Sequence, residues 1–267
     1  MSPIELFFTY ANNLPPGSGY ELFGKEHICI LIVSLFLIVG CICLYDKGTA
    51  AFKGCMRKCV AAALVVQIAL RQAYVCLVGA NIVYDLPLHL CSIAGIVCFI
   101  YEYTGSMISE RIKSVLEQAL FALCLPGAVL AIVFSDGIMY PVFHFVTIES
   151  GLFHVFIIVY VIFKIKDGDI KPGIREAYKS GIFLVIVAIP VYLFDRAFHA
   201  NYMFLMGPSQ GSPLTGLYTG YGYAGYMVGY GLVAMAEVVV INGIGSVITK
   251  KNDHSKGDSS IEKDEVL

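Results

Sequence analysis

Charge is scarce in this chain of 267 residues. Only 14% are Asp, Glu, Lys or Arg, against about 25% in a soluble protein, which excludes an ordinary water-facing surface. The net charge of −2 excludes the basic face that nucleic acid requires. The opening stretch, MSPIELFFTYANNLPPGSGYELFGKEH, lacks a basic start, a compact apolar core and a small-residue cleavage site, so no removable leader is expected. Nine cysteines show neither metal-ligand nor disulfide spacing, so no metal and no cofactor are expected. No repeat links the first three apolar runs to the last three, as it does in many transporters. No lysine lies between Lys179 and Lys250, which excludes a retinal Schiff base in the last run.

What is present is apolar residue, at 58%, gathered into runs that each suit one crossing of a ~30 Å hydrocarbon core. The reading is an all-α, polytopic bundle of seven spans at about 28–45, 59–80, 86–103, 115–134, 150–165, 180–198 and 217–246. Residues 1–27 form a surface segment, 28–246 the membrane domain and 247–267 a charged, disordered tail. Fifteen of the eighteen Lys and Arg residues fall in the connections after spans one, three and five and in the tail. By the positive-inside rule the N-terminus is extracytoplasmic and the C-terminus cytoplasmic. The chain is an integral membrane protein, expected in a bacterial plasma membrane.

Orientation gives depth to LPLHLCSIAG, which opens span three. Cys91 lies about 7–8 Å below the outer surface at 1.5 Å per residue, and His154, near the start of span five, lies at a similar depth. His27, His144 and His199 fall at the same side. Polar groups inside a bilayer are costly and face a cavity or one another, so one outward-facing polar pocket is expected. Cys91 near a helix N-terminus is suited to a thiolate nucleophile, and a histidine is the base it needs. His89 and His154 both compete for that role. Residues two apart on a regular helix point about 200° from each other, which favours His154 on a separate span.

Arg71 sits mid-span with Gln67 and Gln72 beside it. It needs a carboxylate partner, with Glu237 or Asp195 conceivable, or a phosphate or carboxylate ligand. His89, Arg71, Asn201, Tyr202 and His144 are the expected substrate-binding residues, with Asn201 or a span-three amide as oxyanion donor. Gly225 and Gly229 read as a small-residue packing step, Tyr218, Tyr221, Tyr223, Tyr226 and Tyr230 as an interfacial belt with some facing the pocket, and Pro126 and Pro190 as kinks.

LPLHLCS, LPGAVLAIVFSD, IESGLFH and HANYMFL, in that order over roughly residues 20–245, resemble the YwaF-like seven-helix integral membrane family. Its animal branch is the transmembrane-protein-164 acyltransferase group. The resemblance implies transfer of an acyl chain between phospholipid and lyso-phospholipid, with membrane lipids as partners. It carries a thioester-forming cysteine onto Cys91 and its histidine onto His154. The alternatives are a lipid ester hydrolase with the same pair, or a transporter or binding protein for lipid or a small solute.

Overall fold

A computed structural model describes residues 2–264 apart from 136, 210, 211 and 213, with side chains described as far as Val247. The architecture is all-α, with no strand among the described residues, and seven helical segments are long and apolar enough to cross a membrane. After a short helix α1 (Pro3–Phe8) come α2 (Lys25–Lys47), α3 (Ala50–Leu77), α4 (Leu90–Thr104), α5 (Glu110–Ala119), α6 (Leu125–Val133), α7 (Phe145–Lys166), α8 (Ala177–Phe198) and α9 (Thr215–Asp264). The tail expected from residue 247 lies almost wholly beyond the described side chains.

Helix α7 is the hub. Its sequence is apolar on every face, the pattern of a helix surrounded by protein, and it packs against α2, α3, α4 and α6. The outer helices turn residues such as Phe36, Ile186 and Val240 away from the bundle, where lipid replaces the missing neighbours. α5 and α6 form a single span through the π-helical turn Leu120–Cys124, in which the Leu125 amide bonds to the Leu120 carbonyl. Pro126 has no N–H for the Ala122 carbonyl and its ring would press on it. A widened turn relieves both problems, so Pro126 yields a π turn. Pro190 stays inside continuous α8.

Helix α9 breaks at Gly222, where φ is 67° and ψ −167°. The chain turns so sharply there that Leu217 meets Gly229 and Tyr221 meets Gly225. The two glycines are therefore not a step for packing another helix; they make room for the reversed first turns of α9 itself. The last crossing begins after Gly222.

Helices α2, α4 and α7 begin at one end of the bundle and α3, α6 and α8 finish there. The opposite, basic end is tied shut by ions. Arg57 bonds Glu102 at 3.3 Å, the Tyr45 hydroxyl at 2.7 Å, and Asp167. Tyr160 donates to Glu102 at 3.1 Å, while Lys164 pairs with Asp169 and lies over the Tyr101 ring at 4.4 Å. Glu117, given no role by the sequence, accepts from the Tyr101 hydroxyl. These contacts join α2, α3, α4, α5 and α7 and hold the hub in register.

Candidate active site

At the end where α4 and α7 begin, a cavity of about 840 Å³ opens between α3, α4, α6, α7, α8 and α9. Cys91 and His154 both line it, from separate helices, together with His89 and Arg71. The lining also includes Val185 and Val233, and Leu130 and Phe134, apolar side chains that are exposed. The chamber is therefore open between apolar helices rather than sealed within the bundle.

Helix α4 starts at Leu90, later than the sequence pattern implies, because the chain at Leu86–Leu88 makes a tight turn with the Leu88 amide on the Leu86 carbonyl. His89 becomes the N-cap, with extended φ and ψ and no side-chain bond to the helix. Cys91 is then the second helical residue, in the turn whose amides lack intrahelical acceptors, with the Ser92 amide and hydroxyl beside its sulfur. The 200° argument against His89 does not apply to a residue outside the helix, and both His89 and Cys91 face the cavity.

His154 is buried on α7, and its Nδ1 lies 2.7 Å from the Ser150 carbonyl oxygen. A carbonyl can only accept, so Nδ1 carries the proton and Nε2 keeps the lone pair in the neutral ring. Among the described residues Nε2 has no partner. This is the protonation pattern of a base.

Arg71 corrects the expected pairing. Its partners are neither Glu237 nor Asp195 but Asp85 at 3.2 Å and Glu149 at 3.6 Å. Asp85 also accepts from the Tyr10 hydroxyl at 2.8 Å, and its carbonyl accepts from Gln72 at 2.6 Å. Burial and the neighbouring Asp85 push the Tyr10 hydroxyl well above its ordinary pKa, so it remains a donor. Asp85 and Glu149 are cavity residues that the sequence reading passed over, although Glu149 lies within IESGLFH. Glu237 lines the cavity from α9.

Three expected binding residues do not line the cavity. Asn201 closes its own loop, donating to the Gly207 carbonyl at 3.0 Å and accepting from the Met206 amide at 2.8 Å, which removes it as an oxyanion donor. Tyr202 is buried and ties two loops together, donating to the Val83 carbonyl at 2.7 Å and accepting from the Leu86 amide at 2.6 Å. Burial pushes its pKa up to about 12. His144 caps α7 by accepting from the Val146 amide, and its Nε2 meets the Thr9 carbonyl at 2.9 Å. Burial lowers its pKa and keeps it neutral.

Three tyrosines placed in the interfacial belt do something more specific. Tyr223, Tyr226 and Tyr230 share one face of α9 and donate to the carbonyls of Leu205, Phe204 and Met203 at 3.0, 2.6 and 2.9 Å. Met203 and Phe204 have φ of 51° and 56°, a left-handed conformation that costs a non-glycine residue roughly 1–3 kcal/mol. The tyrosine hydroxyls supply the restraint that such a loop needs.

The TMEM164 family model matches residues 22–242.

The chain belongs to the TMEM164 family.

No curated protein and no solved structure matches it. The TMEM164-like stretch contains every cavity residue except Tyr20, so the chamber belongs to the part of the chain that defines membership. α1 and the Tyr10 contact lie before it.

Proposed function

We propose that this TMEM164-family protein is a lipid acyltransferase, with Cys91 as nucleophile and His154 as its base. The observation that carries the reading is that sulfur and imidazole, from different helices, line one open chamber with apolar walls. A likeness to the wider YwaF-like group is part of the same proposal. So is the orientation: the cavity end faces outward and the basic end faces the cytoplasm of a bacterial plasma membrane.

His154 Nε2 takes the Cys91 proton while sulfur attacks the ester carbonyl carbon of a phospholipid. The C–O bond breaks, His154 returns the proton to the leaving oxygen, and a lyso-lipid departs from a Cys91 thioester. An acceptor hydroxyl then gives its proton to His154 and takes the acyl group, and the thiol is restored. Water as acceptor would make the same site a hydrolase. Transport is the weaker reading because the ion network joining Arg57, Glu102, Asp167 and Lys164 occupies the basic end of the bundle.

The test is transfer of a labelled acyl chain from phospholipid to lyso-phospholipid in reconstituted vesicles. Cys91→Ala and His154→Gln should each lower the rate at least 100-fold at unchanged expression. Undiminished transfer by Cys91→Ala would overturn the reading.

A further inference from the structure

The cavity holds two histidines, and their backbone partners give them opposite protonation patterns. His154 Nδ1 faces a carbonyl oxygen, that of Ser150 at 2.7 Å. His89 Nδ1 faces an amide, that of Met203 at 3.3 Å. An amide can only donate, so His89 Nδ1 must present a lone pair, and the proton of the neutral ring sits on Nε2. Neither Nε2 has a partner among the described residues, and both rings line the same chamber. One imidazole is set to receive a proton and the other to donate a hydrogen bond.

The His89 arrangement is built rather than incidental. The Met203 amide that points at His89 opens a pair of left-handed residues, Met203 and Phe204. That backbone is held by Tyr226 and Tyr230, which donate to the carbonyls of Phe204 and Met203. The ring itself lies edge-on to Tyr202, with centroids 5.1 Å apart, and beside Phe204 at 5.8 Å. Tyr202 in turn ties this loop to Val83 and Leu86, just ahead of His89. The segment before α4 and the loop after α8 are thus locked together around one ring.

We propose that His89 is a second catalytic imidazole, a fixed Nε2–H donor to the carbonyl oxygen of the lipid ester, with the Tyr226 and Tyr230 hydroxyls as positioning groups that set its tautomer. This rests on the acyl-transfer reading above and deepens it. As Cys91 sulfur adds to the carbonyl carbon, the C=O electron pair moves onto oxygen, and a preorganised donor counts most at that moment. A neutral imidazole serves without gaining or losing a proton, and the amide donating to Nδ1 occupies the lone pair that a base would need. The first-turn amides of α4 receive no cap from the His89 side chain, and those of Cys91 and Ser92 lie beside the Cys91 sulfur. The assignment also removes His89 from competition for the base, which leaves His154.

The experiment has two arms. The first is 15N NMR of the full chain labelled at histidine, in lipid nanodiscs near neutral pH, with resonances assigned through His89→Gln and His154→Gln. His89 should carry its proton on Nε2 and His154 on Nδ1. A proton on His89 Nδ1, alone or together with Nε2, overturns the proposal. The second arm is acyl transfer from phospholipid to lyso-phospholipid. His89→Phe should lower kcat about 100-fold with little change in KM, and His89→Gln, whose amide can donate, should recover part of it. Tyr230→Phe should lower kcat less and mix the His89 tautomers, a spectroscopic change that a purely structural tyrosine would not produce. A wild-type rate retained by folded His89→Phe overturns the donor role while leaving the acyl-transfer reading standing. A wild-type chain that transfers no acyl group sinks that reading and the donor role together, and leaves the tautomer result to judge the geometry alone.

Discussion

Arg71 lies 3.2 Å from Asp85, tying α3 to the segment that precedes α4 along the cavity wall. The guanidinium also faces Glu149 on α7, so one cation balances two carboxylates where little water can help. Removing it leaves uncompensated charge in a low-dielectric site, which costs more than the pair itself contributes. Arg71→Ala should destabilise the protein by about 3 kcal/mol. The double variant Arg71→Ala, Asp85→Asn should recover part of that loss, because one of the two stranded carboxylates is gone while Glu149 remains. Thermal unfolding in nanodiscs reads both. Equal stability of Arg71→Ala and wild type would contradict the pairing.

The bond from His144 Nε2 to the Thr9 carbonyl predicts a pH dependence. Its Nδ1 accepts from the Val146 amide, so the buried ring must be neutral, and burial lowers its pKa relative to the unfolded chain. The unfolded chain therefore binds the proton first. This contribution to stability is complete above about pH 6.5 and is lost as pH falls below it. Melting temperature should drop on acidification, and His144→Asn should show a shallower drop. Identical pH profiles would remove His144 as the cause.

Gly222 has backbone angles open essentially to glycine alone. Gly222→Ala should cost about 1–3 kcal/mol by forcing Cβ into that conformation, and asparagine should not rescue it, since ψ lies outside the ordinary left-handed well. Gly220→Ala, with open space at its Cβ, should be near neutral. Chemical denaturation of the three variants tests the contrast. Equal effects at 220 and 222 would refute the sharp corner in α9.

Glu102 accepts from Arg57 and Tyr160 and lies 4.0 Å from Lys164. Glu102→Gln should destabilise by roughly 2–4 kcal/mol, because two cations lose a partner in the bundle. A pulse-proteolysis rate at the basic end is the readout. An unchanged rate would mean the network does not hold that end together.

The seven spans were legible because bilayer thickness imposes run length directly on the sequence, and the polar pocket because intramembrane histidines must face something. Finer features depended on local backbone that apolar periodicity does not encode. Pro87 is compatible with a first helical turn, yet α4 begins three residues later, which turns His89 from a helix residue into a cap. Asp85 reads as a loop residue until the chain returns it to Arg71. Gly222 is hidden among neighbours of the same type, and only its angles distinguish it. Asn201 and Tyr202 are polar residues in a loop at the cavity end, but their hydrogen bonds go to loop backbone. His89 and His154 differ in whether an amide or a carbonyl lies opposite Nδ1, a distinction no residue name carries.

The central claim is that the Cys91 sulfur takes an acyl group from lipid. Intact-protein mass spectrometry after incubation with phospholipid addresses it most directly. The account predicts a mass increase of one acyl chain, released by neutral hydroxylamine, mapped to Cys91 and missing from Cys91→Ala. No adduct on wild type held at substrate excess and quenched in acid, or an adduct that persists in Cys91→Ala, would contradict it.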